Sequence, residues 1–314
     1  MENIGIILIA LLLDVLIGEI PNRFHPVAWL GSLINLQLKH APASGKTLQF
    51  VYGLSIVLAT ICIVTIPLAF LIFYLHQFNN VVYVLVSACI LKSTFSVRGL
   101  WSAVKEVEIL LKSQDIAAAR ESVRALVSRD TGTLSEKQVI SASVESCAEN
   151  ICDSFIAPLF YFAVFGLPGA IAYRIINTFD AMIGYRGRWE YTGKFAALLD
   201  DAANFLPARL SGLLISLSAV FTRNGAGQAW QTMWKEHGQT KSPNAGWPMA
   251  AMAGSLGVTL EKVGHYRLGQ GFREISITDV DRSQRILLTA AGLWCMLMII
   301  IEVIKLVTAK ATHI

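Results

Sequence analysis

VYGLSIVLATICIVTIPLAFLIFYL, residues 51–75, carries no charged side chain anywhere along its length. A bilayer core takes about 20 apolar residues as a helix, so this stretch is long enough to cross one. Pro67 inside it is compatible with a membrane helix, where neighbours re-satisfy the freed backbone groups. Composition agrees with that reading. The chain of 314 residues is 54% hydrophobic and 15% charged, against about 25% charged in soluble domains, and its mean hydropathy is +0.54. A second span covers 286–305, most apolar over Ile286–Ile301. Shorter apolar segments lie at 3–17, 81–97, 154–176 and 203–222, separated by polar segments 98–150 and 223–285. The expected fold is an all-α, polytopic integral membrane protein. It would form one membrane-embedded domain over 1–314, with short or re-entrant helices and a cytoplasmic helical region.

The net charge of +4 is mild and no basic run stands out, which argues against a nucleic-acid partner. Cys62, Cys89, Cys147, Cys152 and Cys295 form no CxxC pair, so neither a disulfide framework nor a zinc site is expected. No Lys or Arg precedes the apolar residues 3–17 and no small-residue cleavage site comes after them. This is unlike a removable signal peptide.

The loops order the spans. Residues 101–127 have helix-period apolar positions with a break at Ser113-Gln114-Asp115, which predicts two amphipathic helices. FGLPG at 165–169 interrupts an uncharged run and predicts two short helices folded back as a re-entrant hairpin. Lys92 and Arg98 either snorkel or face a polar cavity. Loop 76–80 lacks Lys and Arg, whereas 18–48 and 92–150 carry several, so the first is placed outside and the others inside. The hairpin keeps Arg186, Arg188 and Lys194 inside, and a partial insertion of 203–222 keeps 223–285 there too. Lys305 and Lys310 would end outside.

Ionisable and amide residues gather beside these spans. Glu145, Glu149 and Asp153 in ESCAENICD are spaced i, i+4 and i+8, with Asn150 beside them. On a helix that puts three carboxylates on one face, and the repulsion calls for Mg²⁺ or a cationic substrate at a membrane surface. The bland alternative is a solvated acidic face. Asp14, Glu19 and His25 surround the GEIPNRFHPV turn, where His25 before Pro26 could simply close the turn. Arg129, Asp130 and Thr131 lie in SRDTGTLSE, where Thr131 or Thr133 could cap the next helix ahead of Glu136. Asn177, Asp180 and Tyr185 come next in NTFDAMIGYRGRWEYTG, with Tyr185 and Trp189 most simply interfacial anchors. Asp200, Asp201 and Asn204 precede Arg209, and Ser242, Asn244 and Gly246 lie in SPNAGWP. Asp200-Asp201 could equally cap a helix, and Arg209 could snorkel. No Walker A, dinucleotide-binding, HExxH or GxSxG pattern occurs. Paired carboxylates, arginines and amides suit Mg²⁺-assisted phosphoryl transfer, with carboxylates on the metal and arginines against developing phosphate charge.

DVLIGEIPNRFHPVAWLG, LVSRDTGTLSE, ASVESCAENICDSFIAPLFY, the long stretch from GLPGAIAYRIINTFDAMIGYRG to FLPARL, and SPNAGWPMAAMAGSLGV run nearly end to end. With these motifs the chain resembles the integral-membrane adenosylcobinamide-phosphate synthase family of cobalamin biosynthesis, CobD/CbiB. It departs from the family at Leu198-Leu199, where relatives commonly have a basic residue. The resemblance implies an ATP-dependent amide ligase in the cell membrane, multi-pass, with its active site facing the cytoplasm. It would join the propionate of adenosylcobyric acid to 1-amino-2-propanol or its O-phosphate through an acyl phosphate. ATP and the corrinoid would be substrates, with Mg²⁺ the cofactor and no tightly bound organic group. Glu145, Glu149 and Asp153 would bind Mg²⁺ or the amine, Asp200 and Asp201 being a second metal candidate. Arg129 and Arg209 would hold phosphates and His25 would serve as base. Asn150, Asn177 and Asn244 would bond the amide-rich rim of the corrinoid. The competing readings are a transporter with re-entrant hairpins and an Mg²⁺-dependent membrane phosphotransferase, although the DGxxAR signature of the latter is missing.

Overall fold

The computed structural model describes residues 2–19 and 21–311, and of the side chains at Asn22 and beyond Thr308 nothing is said. The side chain of Lys310, expected outside, and the whole of Ile20 in the GEIPNRFHPV turn therefore lie outside the description. In chain order the helices are α1 (Glu2–Ile17), α2 (Pro26–Leu38), α3 (Lys46–Phe78), α4 (Asn80–Lys92), α5 (Val97–Lys112), α6 (Ile116–Arg124), α7 (Glu136–Ile151), α8 (Ala157–Ile183), α9 (Lys194–Ala203), α10 (Phe205–Phe221), α11 (Ala226–Glu236), α12 (Gly246–Leu256) and α13 (Thr278–Ala311). A π-helical turn at Cys152–Ile156 joins α7 to α8. Strands β1 (Val258–Lys262), β2 (Tyr266–Leu268) and β3 (Arg273–Glu274) form a small sheet in the order β2-β1-β3.

By length and composition four helical stretches could cross a membrane, Lys46–Phe78, Asn80–Lys112, Glu136–Ile183 and Thr278–Thr308, or up to five if the bent pair α9–α10 counts as one. This agrees with the expected all-α polytopic membrane fold. Along α3 the side chains of Leu58, Ile63, Ile66, Phe70 and Phe73 are exposed. So continuous an apolar surface is what lipid covers.

The chain divides into two compact units. The first comprises residues 1–96, 157–203 and 298–314. Its core packs Ile34 and Leu38 of α2, Ile56 and Val57 of α3, Ile175, Phe179 and Ile183 of α8, and Ala196 of α9. Asn79 joins α3 to α4 by accepting from the amides of Val81 and Val82 at 2.8 and 3.1 Å, which satisfies two N–H groups at the start of α4. Lys92 neither snorkels nor lines a cavity. It forms an ion pair with Asp14 of α1 at 2.9 Å, and each side chain is only 4% exposed.

The predicted reversal at FGLPG is present. Gly166 has φ 68° and ψ −161°, outside the helical region, a conformation that suits a residue without Cβ. Tyr161 and Tyr173 would be about 18 Å apart along a straight helix, yet their rings stack at 5.2 Å. A Cβ on Gly169 would lie 2.7 Å from the carbonyl oxygen of Tyr161, so only glycine lets the two arms close. Carbonyls just before such a break lose their helical donors. Lys305 of α13 donates to one of them, Ala163 O, at 2.5 Å. Glu302 holds Lys305 at 2.6 Å and accepts from Asn3 of α1 at 2.9 Å. Glu2 of α1 also meets His76 of α3 at 3.0 Å. The ends of α1, α3 and α13 thus share one end of this unit with the tip of the hairpin, and Lys305 is spent on internal partners.

The second unit comprises residues 97–156 and 204–297. The break expected at 113–115 is real: Gln114 adopts φ 61°, and Asp115 caps α6 by accepting from Ala118 N at 2.9 Å. The cap of α7 differs from expectation. Ser135, not Thr131 or Thr133, accepts from Gln138 N while the Gln138 side chain accepts from Ser135 N, a capping box. Asp130 shapes the turn before it by accepting from Gly132 N at 3.0 Å. The segment 223–285, read as polar, contains α11, the wholly buried α12, and the sheet. A Cβ at Gly246 would lie 1.9 Å from His237 O, which is why the SPNAGWP turn needs glycine there.

Candidate functional site

The acidic helix α7 carries its compensating cation as a side chain. Glu145 is 4% exposed. Its Oε1 accepts from Ser141 at 2.6 Å, and its Oε2 accepts from Tyr266 of β2 at 2.8 Å and from Arg129 at 3.4 Å. Ser141 also accepts from the amide of Glu261 at 2.9 Å, which ties β1 to α7. Three donors converge on the Glu145 carboxylate and fix Arg129 against it. Burial first, and then the charge of Glu145, push the Tyr266 phenol far above its ordinary range, with Glu149 adding to the shift. Tyr266 therefore stays a donor. Glu149 itself is exposed, one turn further on. Asp153 falls within the π turn rather than on the regular stripe, and such turns recur at functional sites. The Asn150 amide is folded back onto Ser146 O and Oγ at 3.0 and 2.8 Å.

Beside Glu145, α6 and the 127–132 loop enclose a cleft of about 690 Å³ lined by Arg120, Arg124, Ser128, Arg129, Asp130, Thr131 and Gly132 together with Ala117, Glu121 and Val127. Arg120 is fixed by donating to Leu134 O at 2.7 Å. Arg129 Nε is buried and makes no hydrogen bond among the described residues. His265, in the β1–β2 turn, is held below its usual value chiefly by the charge of Lys241, with Lys262 and Arg129 adding to it.

A second group in the same unit joins Arg209, Ser242 and Asn244. Arg209 lies over the rings of Phe205 and Trp247 at 3.5 and 4.8 Å from their centroids, and its Nη1 is 3.4 Å from Asn244 Oδ1. Ser242 Oγ accepts from the amides of Asn244 and Ala245 at 3.2 and 3.4 Å and so shapes the start of α12.

The other candidates belong to the first unit. Asn177 donates to Asp200 Oδ1 at 3.3 Å, and Asp180 and Asp201 are half-buried on the same helices, α8 and α9. Tyr185 is 54% exposed just beyond α8. His25 caps α2: its Nδ1 accepts from Val27 N at 3.2 Å, and its Nε2 is 3.5 Å from Glu19. The hydrogen bond from His25, joined by one from Ser96 and the charge of Lys92, holds Glu19 down to about 2 against the opposing effect of burial.

The CobD/Cbib protein family model matches residues 7–296. The chain belongs to that family. Its match to the cobalamin biosynthesis protein CobD of Dehalococcoides mccartyi is 47% identical over 299 residues, covering 95% of this chain and 97% of the relative. Two archaeal relatives are each named probable cobalamin biosynthesis protein CobD. That of Methanococcus aeolicus is 40% identical over 271 residues, 85% of this chain and 87% of the relative. That of Methanocaldococcus jannaschii is 38% identical over 279 residues, 86% and 90%. No solved structure matches the chain. Membership places this CobD/Cbib protein in cobalamin biosynthesis, in the adenosylcobinamide-phosphate synthase family.

Within this family member, sequence reasoning missed Tyr266, Ser141, Arg120, Arg124, His237 and Trp247. Ser141 was findable, since it sits one turn before Glu145. Arg120 and Arg124 were visible on the polar face of α6 but carry no motif. Tyr266 comes to Glu145 from 121 residues away, and nothing local announces it.

Proposed function

We propose that this chain is an ATP-dependent amide ligase that joins adenosylcobyric acid to 1-amino-2-propanol or its O-phosphate. The arginine-lined cleft beside Glu145 carries the reading, because it offers three guanidinium groups and the hydroxyls of Ser128 and Thr131 to a polyphosphate. A propionate oxygen would attack the γ-phosphorus of ATP, and the bond to the bridging oxygen would break to release ADP. The amine nitrogen would then attack the acyl carbon. The C–O bond to phosphate would break, and the amine would lose its proton. Arg120, Arg124 and Arg129 would cancel phosphate charge as it shifts between oxygens.

The described residues contain no cluster of three or more His, Cys, Asp or Glu disposed to hold a metal ion. That fits Mg²⁺, which is usually held by one or two carboxylates plus substrate phosphates. Since Glu145 is occupied by its three donors, Glu149 and Asp153 are the residues that would hold it, and there it would neutralise phosphate charge. The decisive test incubates detergent-purified protein with adenosylcobyric acid, Mg²⁺-ATP and either amine. The amide mass is expected with at least one amine, and its absence with both overturns the ligase reading.

ATP is cytoplasmic, so the proposal also requires the loops flanking 154–183 and 203–222 to face that side. The fold-back at Gly166 supports this for the first of them. In a background without native cysteines, cysteines placed at Gly187 and Asn224 are expected to resist an impermeant thiol reagent added to intact cells. Labelling of either from outside contradicts the orientation.

A further inference from the structure

Among the described residues Arg209 is a cation without a counter-ion. Its polar contacts are Phe205 O at 2.5 Å and Asn244 Oδ1 at 3.4 Å, and the rings of Phe205 and Trp247 lie 3.5 and 4.8 Å from its guanidinium carbon. Aromatic faces stabilise a guanidinium, but they also displace the water that would otherwise solvate it. The neighbouring indole nitrogen of Trp247 is buried and has no hydrogen-bond partner among the described residues, and such orphans in a native site call for an explanation. His237 stacks on Trp247 at 3.9 Å. Burial, and then the charge of Arg209, hold His237 below its usual value, so near neutral pH its ring is uncharged. Trp234 meets Trp247 edge-on at 5.1 Å and is itself 53% exposed. An anion complements the guanidinium, and a broad conjugated surface complements the aromatic side chains.

We infer that Arg209, with Asn244, Trp247 and Trp234, forms the site that receives the free carboxylate of the corrinoid and one edge of its ring. This rests on the ligase reading for the identity of the ligand. A carboxylate is the one anionic group on a ring whose other side chains are amides, and the Asn244 amide and Ser242 hydroxyl suit that rim. The cluster thus gives the acid substrate a cation of its own, distinct from Arg120, Arg124 and Arg129, which would hold the phosphates of the nucleotide that the carboxylate attacks.

The test is quenching of tryptophan fluorescence in detergent-purified full-length protein titrated with adenosylcobyric acid. Adenosylcobinamide, which has the same ring and no free carboxylate, serves as comparison. Loss of a charge-assisted hydrogen bond predicts roughly tenfold or greater weakening of acid binding in Arg209→Met, with little change for adenosylcobinamide. Arg209→Lys, which keeps the charge and loses the fork, should fall between. That graded result separates a binding role from misfolding. Equal binding of the acid by wild type and Arg209→Met overturns the inference, as does equal binding of acid and adenosylcobinamide by wild type. A loss confined to 1-amino-2-propanol O-phosphate would assign the guanidinium to a phosphate and overturns it too. Quenching by brominated lipid that the corrinoid does not diminish would give the tryptophans to the bilayer, with the same consequence. Amide formation by wild type alongside normal acid binding in Arg209→Met sinks this site and leaves the ligase reading standing. Acid binding through Arg209 without amide formation does the reverse.

Discussion

Lys92→Met is expected to destabilise the protein by about 3–5 kcal/mol, the cost of leaving one buried charge without its partner. Lys92 and Asp14 are each 4% exposed and 2.9 Å apart. Lys92 also donates to Phe95 O at 3.3 Å, so the substitution takes a donor from a carboxylate and a carbonyl together. Charges in membrane helices are costly unless paired, which sharpens the effect. Asp14→Leu should be about as damaging alone. The double variant Asp14→Leu/Lys92→Met should recover most of the loss, because replacing both members of a buried pair by apolar groups is often near neutral. Thermal unfolding in detergent measures all three. A double variant as unstable as the worse single one would mean that the pair does more than satisfy itself.

The largest functional loss is expected at Arg129. Arg129→Met removes a guanidinium from the cleft and leaves Glu145 with Ser141 and Tyr266 as its remaining donors. Amide formation should fall roughly 100-fold or more, the scale seen when a preorganised electrostatic contact to developing charge is lost. KM for ATP should rise with it. Arg129→Lys should recover little, since a lysine lacks the planar fork that serves Glu145 and a phosphate together. Tyr266→Phe should be milder, about 1 kcal/mol in stability for one hydrogen bond. Initial rates of ADP release and amide appearance across an ATP titration decide the matter. Wild-type kcat/KM for ATP in Arg129→Met would remove the cleft from the reaction.

What the sequence disclosed, it disclosed through local physics. The absence of charge over 51–75 is a property of one helix, and the joint at 113–115 announces itself through an Asp that caps the next helix. FGLPG marks a reversal because glycine and proline restrict what the backbone can do. The capping box Ser135–Gln138 was equally local, and was overlooked in favour of two threonines that lie too early. The acidic stripe was legible as a need for positive charge, but its answer was not. Arg129 lies 16 positions before Glu145 and Tyr266 lies 121 after it. The sheet escaped because its strands are five, three and two residues long, too short for alternation to show. The Asp14–Lys92 pair links residues far apart in the chain that read singly as oddities of two apolar segments.

The Gly166 reversal also sets an order of assembly. The Lys305 ammonium that serves the Ala163 carbonyl is encoded 142 positions downstream. A ribosome must therefore have released residue 305 before the hairpin can be finished, and until then the Ala163 carbonyl lacks that donor. The hairpin and α13 mature as one event, and a chain truncated before residue 305 would leave the tip of the hairpin unfinished as well as α13 cut short.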